Sequence, residues 1–260
     1  MELILDEYAQ KNALIEVSSQ IKLLAGIGAI LVCISSASPV APLFIAASMA
    51  FITIVLARIP ARLYLSLLMI PVSFALFSGL IILLMSGGGT ALYSVNIAGI
   101  PLSITTDSAN LALMVITRTF GGMCSLYFIA LTTPIIEVFA VLQQCRLPRG
   151  LLDLSMLIYH FIFILIGEAI SIHTAQLLRH GYDSFKNSLH SFAMLGAMLF
   201  IRAWQQGEDL VVAMDSRCYD GKLELAGTAR KTGPRIVVAV FLYLGICVWI
   251  AYTSAAIRIF

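Results

Sequence analysis

Apolar stretches separated by short polar connections set the rhythm of this chain. The first run covers 23–37, just after Lys22, and the turn SASPVAP leads into a second at 43–57. Arg58 and Arg62 bracket Pro60 before a third run at 63–85. A fourth covers roughly 108–132 and ends at TTP, and a last one covers 236–257. Runs approaching or exceeding the ~18–20 residues of a bilayer crossing predict helices, because only helices and closed barrels satisfy their backbone inside lipid. The segment 86–107, SGGGTALYSVNIAGIPLSITTD, carries a glycine cluster and short alternating apolar pieces. It predicts a small hairpin or an irregular loop outside the bilayer.

The stretch 134–233 has a different texture and holds nine of the sixteen basic residues. LSMLIYHFIFILIG (154–167) and SFAMLGAMLFI (191–201) are apolar but short, and a crossing of about 11 residues is too short for the hydrocarbon core. Long amphipathic helices lying on the cytoplasmic surface are therefore expected here, with a pair of further spans as the alternative. The predicted architecture is an all-α polytopic membrane protein of about five transmembrane helices plus long amphipathic cytoplasmic helices. Residues 1–133 supply the first four membrane helices, 134–233 the cytoplasmic helices and 234–260 the last membrane helix.

Composition agrees. The chain has 260 residues, 60% hydrophobic and 12% charged, against roughly 25% charged in soluble domains, and a mean hydropathy of +0.97. Lys11 with Lys22, Arg58 with Arg62, and Arg146 with Arg149 fall in alternate connections, while 38–42 and 86–107 contain no lysine or arginine. The positive-inside rule then places the N-terminus of this multi-pass chain in the cytoplasm. Arg230, Lys231 and Arg235 hold the start of the last helix on the same side. The opening segment MELILDEYAQKNALIEVSSQ lacks the basic-then-apolar order of a cleaved signal and reads as a cytoplasmic lead-in. Arg118, inside the fourth run, is expected to tie helices together. Cys33, Cys124 and Cys247 lie in apolar runs, Cys145 and Cys218 elsewhere, with no CxxC pair; this is no disulfide framework.

Candidate chemistry is sparse. Gly26, Gly28, Gly79, Gly121 and Gly122 fit close helix packing better than a broken-helix substrate site. His173 and His180, seven residues apart, would share a helical face, but no third ligand stands in register and a metal site needs three or four. No GxxxxGK[ST] loop is present, so ATP would be bound by another subunit.

Two readings remain for AMDSRCYDG (213–221). Asp215, Asp220 and Glu224 could hold Mg²⁺ in a membrane-embedded transferase, although Arg217 partly neutralises them and a five-residue spacing shares a helical face poorly. Alternatively QQGEDLVVAMDSR (205–217) is a helix ending near Gly221, with Leu210, Val211, Ala213 and Met214 on a buried face. Arg217 would then be a planar, permanently charged plug for a groove in a partner. AQLLRHGYDS (175–184) repeats the pattern with Arg179. Two arginine-bearing helix ends suggest a two-fold or pseudo-two-fold partner.

Taken in order, these residues resemble the transmembrane T component of energy-coupling factor transporters, of the cobalt/nickel type called CbiQ. LDEYAQKNAL…IK is similar to the family's opening. TTP (132–134), LP (147–148) and Tyr159–Phe161 resemble its middle landmarks. RHGYDSFKNSLHSFAMLGAMLFIRAW resembles the segment between its coupling motifs, and AMDSRCYDG its closing motif. The resemblance implies a non-catalytic scaffold in a prokaryotic plasma membrane, with no cofactor of its own. It implies two CbiO-type ATPase subunits that hold ATP and magnesium, and a CbiM-type membrane subunit that binds cobalt or nickel, with a small CbiN-type subunit as a possible addition. It also implies ATPase coupling through Arg179 with Gly181 and through Ala213, Met214, Ser216, Arg217, Cys218 and Gly221. The chain departs from the pattern at Cys218, where glycine is usual, at His180, which separates Arg179 from Gly181, at His160, where arginine is common, and at Ser19, where proline is frequent. If that glycine is needed for a positive φ, Cys218 strains the turn; otherwise it lengthens the helix by a residue.

Overall fold

In TTDS (105–108), two hydroxyls start the central helix of the molecule. Thr105 Oγ1 accepts from the Ser108 backbone N–H and Ser108 Oγ accepts from that of Thr105, so two otherwise orphaned donors are satisfied reciprocally. Asp107 in the first turn complements the helix dipole. The computed structural model describes residues 8–10, 12–85, 91–97, 100–144, 148–219 and 233–254. Its helices are α1 (Ser19–Ser35), α2 (Val40–Phe51, continued by a π-turn at Ile52–Leu56), α3 (Ala61–Met85), α4 (Thr106–Thr132), α5 (Ile135–Gln144), α6 (Arg149–Leu178), α7 (Phe185–Ser216) and α8 (Pro234–Ser254). Between α3 and α4 lies an antiparallel hairpin, β1 (Ala91–Ile97) with β2 (Ile100–Thr105), the hairpin expected from the glycine cluster.

The five membrane helices foreseen from the apolar runs are α1, α2, α3, α4 and α8, each within a few residues of its run. Four described helices are long and apolar enough to cross a membrane: 61–84, 106–132, 150–178 and 234–254. Three of these are predicted spans. The fourth lies in α6, where LSMLIYHFIFILIG proves to be the middle of a 30-residue helix. Helices α1, and α2 with its π-turn, are shorter (Ser19–Ser35 and Val40–Leu56), near the ~17-residue lower limit for a span.

The chain folds as two compact units, 1–138 with 228–260, and 139–227. In the first, α4 packs on α1, α2 and α3, and α8 packs on α1 and α2. Its core includes Ala29, Cys33, Ile45, Met49, Tyr64, Cys124, Phe128, Leu131 and Cys247, so the three cysteines of the apolar runs serve as small buried hydrophobes. Small residues allow the close crossings. A Cβ on Gly121 would lie 2.6 Å from Cys33 Sγ and 2.8 Å from the Pro42 carbonyl oxygen, and one on Gly26, Gly28 or Gly79 would meet Ile129, Leu244 or Ile116 within 3.0 Å. Gly122 has open space. Arg118 donates to the carbonyl of Ser36 at the end of α1, the expected tie between helices.

In the second unit, α6 and α7 form a helical hairpin. Gln176 Nε2 donates to the Ser191 carbonyl at 2.9 Å, Ser191 Oγ donates to the Gly181 carbonyl at 2.8 Å, and Arg202 pairs with Glu168. The apolar piece 191–201 and the helix expected at 205–217 are one continuous element, with Gly207 inside it.

Candidate functional site

Two helix ends carry the site, and they are built alike. Arg179 caps α6 with φ −98° and ψ 15°; Arg217 caps α7 with φ −100° and ψ 15°. The next residues, His180 and Cys218, are left-handed at φ 58° and 55°. After α6, the His180 N–H donates to the Leu177 carbonyl at 3.1 Å and the Gly181 N–H to the Gln176 carbonyl at 2.9 Å. After α7, the Cys218 N–H donates to Asp215 at 3.1 Å and the Tyr219 N–H to Met214 at 3.1 Å. Both are Schellman motifs, which satisfy the last carbonyls of a helix and usually place glycine at the left-handed position.

The departures from the family pattern acquire a physical meaning here. The conformation that favours glycine falls on His180 and Cys218, and Cys218 reverses the chain rather than lengthening the helix. A left-handed non-glycine residue costs roughly 1–2 kcal/mol. His180 lies beyond the end of α6, so it does not share a helical face with His173. Its Nδ1 instead lies 2.9 Å from Asp183 Oδ2, while His173 packs against Tyr182 with ring centroids 4.9 Å apart. Gly181 is required for space: a Cβ there would sit 2.7 Å from Ser191 Oγ and 3.0 Å from the Gln176 carbonyl. Cys218→Gly is expected to slow hydrogen exchange at the Cys218 and Tyr219 amides about fivefold, for a relief of about 1 kcal/mol. Cys218→Val, β-branched, should speed exchange at both.

Arg179 and Arg217 are exposed, and among the described residues neither forms an ion pair. Leu178 and Phe185, on either side of the first turn, are 80% and 87% exposed. The face expected to be buried near Arg217 is open within this chain: Val211 and Ala213 are exposed, Leu210 and Met214 half-buried, and α7 has no buried residue. An arginine amid exposed apolar side chains is the composition of a protein-binding anchor. The two caps stand at opposite ends of α7, whose 32 residues extend about 48 Å at 1.5 Å per residue.

The acidic reading of AMDSRCYDG finds less. Asp215 is exposed on the last turn of α7, Asp220, Gly221 and Glu224 lie outside the described residues, and no group of three or more metal-ligating side chains converges among the described residues.

A second cluster joins the family's opening to its TTP landmark. Lys22 Nζ donates to the Thr132 carbonyl at 3.0 Å, and Asn12 Nδ2 donates to the same carbonyl at 3.1 Å. Lys22 is 3% and Asn12 6% exposed. Ser19 Oγ donates to Glu137 of α5, so serine at the first helical position, where proline is favoured, ties α1 to the helix after TTP. In the sequence, both Asn12 and Lys22 belong to the opening motif LDEYAQKNAL…IK, which is the signal for this cluster.

A family model described as "Cobalt transport protein", CbiQ, matches residues 10–226. The chain belongs to the CbiQ cobalt transport family. It is 48% identical over 246 residues, 94% of its length, to a putative fused cobalt transport protein CbiMQ of Methanocorpusculum labreanum, of which it spans 41%. It is 31% identical over 251 residues to the uncharacterized protein MJ1089 of Methanocaldococcus jannaschii, covering 96% of this chain and 93% of that one. Over 181 residues it is 30% identical to the energy-coupling factor transporter transmembrane protein EcfT of Ruminiclostridium cellulolyticum, 65% of this chain and 66% of that one. The family is that of a transporter membrane component, in keeping with a non-enzymatic chain.

Proposed function

We propose that this chain is the energy-coupling T component of an ATP-driven cobalt or nickel importer. Arg179 and Arg217 dock in grooves of two CbiO-type ATPase subunits, and a separate CbiM-type membrane subunit binds the metal; a CbiN-type subunit could complete the assembly. The observation that carries this reading is the pair of matching arginine-capped Schellman turns at the two ends of one long helix. A partner made of two equal ATPases offers two equal grooves, and a rigid helix fixes their spacing. The fused relative, whose name joins an M-type to a Q-type part, supports a CbiM-type neighbour.

Topology favours the same arrangement. Lys22 reaches Thr132 at the end of α4 and shares a cavity wall with Arg235 at the start of α8, so the chain leaves and re-enters the membrane bundle at one end. An even number of crossings must lie between. Helix α7 carries Lys186, Arg202, Glu208, Asp209 and Asp215, and is not among the helices apolar enough to span. In this reading α6 and α7 lie on the membrane surface and both arginines face the cytoplasm, the side given by the basic connections. ATP and magnesium belong to the ATPases, and cobalt or nickel to the CbiM-type subunit as cargo.

Reconstitution in vesicles tests this. Metal uptake should require ATP, the ATPase pair and the CbiM-type subunit together. Uptake by the purified chain alone would overturn the proposal, and activity lost on Asp215→Ala/Asp220→Ala with every complex intact would favour the transferase.

A further inference from the structure

The membrane unit contains a cavity of about 440 Å³ that the coupling reading does not use. Its wall includes Ala25 of α1, Met49 of α2, Phe128 of α4, and Ala239, Val240 and Tyr243 of α8. The polar atoms that reach it are engaged elsewhere: Tyr243 Oη lies 2.7 Å from Ser48 Oγ, and Lys22 Nζ bonds the Thr132 carbonyl. The cavity is therefore greasy along its length. Its size falls within the ~300–1,000 Å³ range of small-molecule sites.

The lining also includes Arg235, in the first turn of α8. Arg235 is exposed, and among the described residues it forms no ion pair. In the sequence, Arg230 and Lys231 precede it, giving three cations within six positions at the start of a membrane helix. Arg58 lies in the connection from α2 to α3 and Arg62 in the first turn of α3, at the end of the bundle where Leu56 and Arg235 share the cavity wall. Glu16, beside the lining residue Val17, is exposed. An apolar slot with a cationic end matches a ligand with an apolar tail and an anionic head. Basic residues just outside a membrane helix attract anionic lipid headgroups.

We propose that this cavity is a binding site for an anionic membrane phospholipid, with an acyl chain between α1, α2 and α8 and its phosphate at Arg235. Size argues against a partner's helix as the occupant. A helix with its side chains is about 10–12 Å across, so the space would hold about one turn, whereas a flexible hydrocarbon chain fills it lengthwise. The inference is independent of the ATPase docking described above.

Full-length protein exchanged into nanodiscs of equal phosphatidylglycerol and phosphatidylcholine, then extracted gently, can be weighed by native mass spectrometry. Retention of phosphatidylglycerol over phosphatidylcholine by about fivefold or more is expected. Arg235→Gln should abolish that preference while still retaining lipid, and Ala239→Trp, which fills the slot, should abolish retention. Equal retention of both lipids, or a preference unchanged by Arg235→Gln, overturns the proposal. Should Ala239→Trp fail to fold, a photo-cross-linking residue at position 239 decides the occupant. Adducts with phosphatidylglycerol support the proposal, and adducts with a partner polypeptide or with the chain's own N-terminal segment overturn it.

Discussion

The double variant Arg179→Ala/Arg217→Ala is expected to insert and fold in the membrane, yet to lose both its ATPase subunits and metal uptake. Both side chains are exposed, and neither contributes an ion pair to the described fold, so little stability is at stake. The loss falls on docking. Arginine anchors at the centre of an interface typically cost 2 kcal/mol or more on truncation, about thirtyfold in affinity at 1.4 kcal/mol per tenfold. Two such anchors, one at the turn before α7 and one at its end, act bivalently, so the second engagement is intramolecular and gains from effective concentration. Each single variant should retain a weakened complex, while the pair should lose on the order of 10³-fold, summing the two anchors. Arg→Lys at either position should not restore full coupling, because a point charge on a flexible stem lacks the planar fork of donors. Co-purification of the ATPase with each variant, with uptake measured alongside, checks this.

The second large effect is expected at Lys22, and on stability. Its ammonium group is almost wholly buried and donates to the final carbonyl of α4. Hydrogen bonds to charged groups contribute about 1.5–3 kcal/mol. Lys22→Met keeps the stem and removes the donor, although Asn12 still serves the Thr132 carbonyl. Burying a charge is itself costly, which trims the loss, so the lower part of that range is expected. For a domain of 150–250 residues, 1 kcal/mol shifts Tm by about 2–4 °C, so Lys22→Met should lower Tm by about 3–6 °C in a detergent melt, while Lys22→Arg should stay closer to the parent. No change with Lys22→Met would mean that Asn12 and the α4 backbone hold this junction unaided.

How far the sequence could be read depended on whether the information was local. Membrane helices were legible because burial in lipid demands a long apolar run, and α3, α4 and α8 follow theirs closely. Helices α6 and α7 were harder: Arg202 and Gly207 interrupt the apolar pattern without interrupting the helix, and Glu168 answers Arg202 from the neighbouring helix. Arg179 and Arg217 were visible as a repeated motif. Their geometry was not, since a left-handed turn is ordinarily announced by glycine, and here the residues are His180 and Cys218. The face of Leu210, Val211, Ala213 and Met214 read as buried because its pattern is apolar, yet none of the four is buried within this chain. The junction of Asn12 and Lys22 with Thr132 brings together residues 110 or more positions apart, and a single sequence does not announce such a pairing.

The central claim is that both ends of α7 engage the ATPase pair at once. Cys218 provides a native handle beside Arg217, and His180→Cys provides the equivalent one beside Arg179. With Cys145→Ser removing the remaining thiol outside the apolar runs, a photoreactive maleimide can be attached at either position in the assembled complex. Illumination is predicted to cross-link each position to an ATPase subunit, and the chain carrying both handles should yield a product with two ATPase copies attached. Adducts with ATPase at one position only, or at neither, would contradict the account.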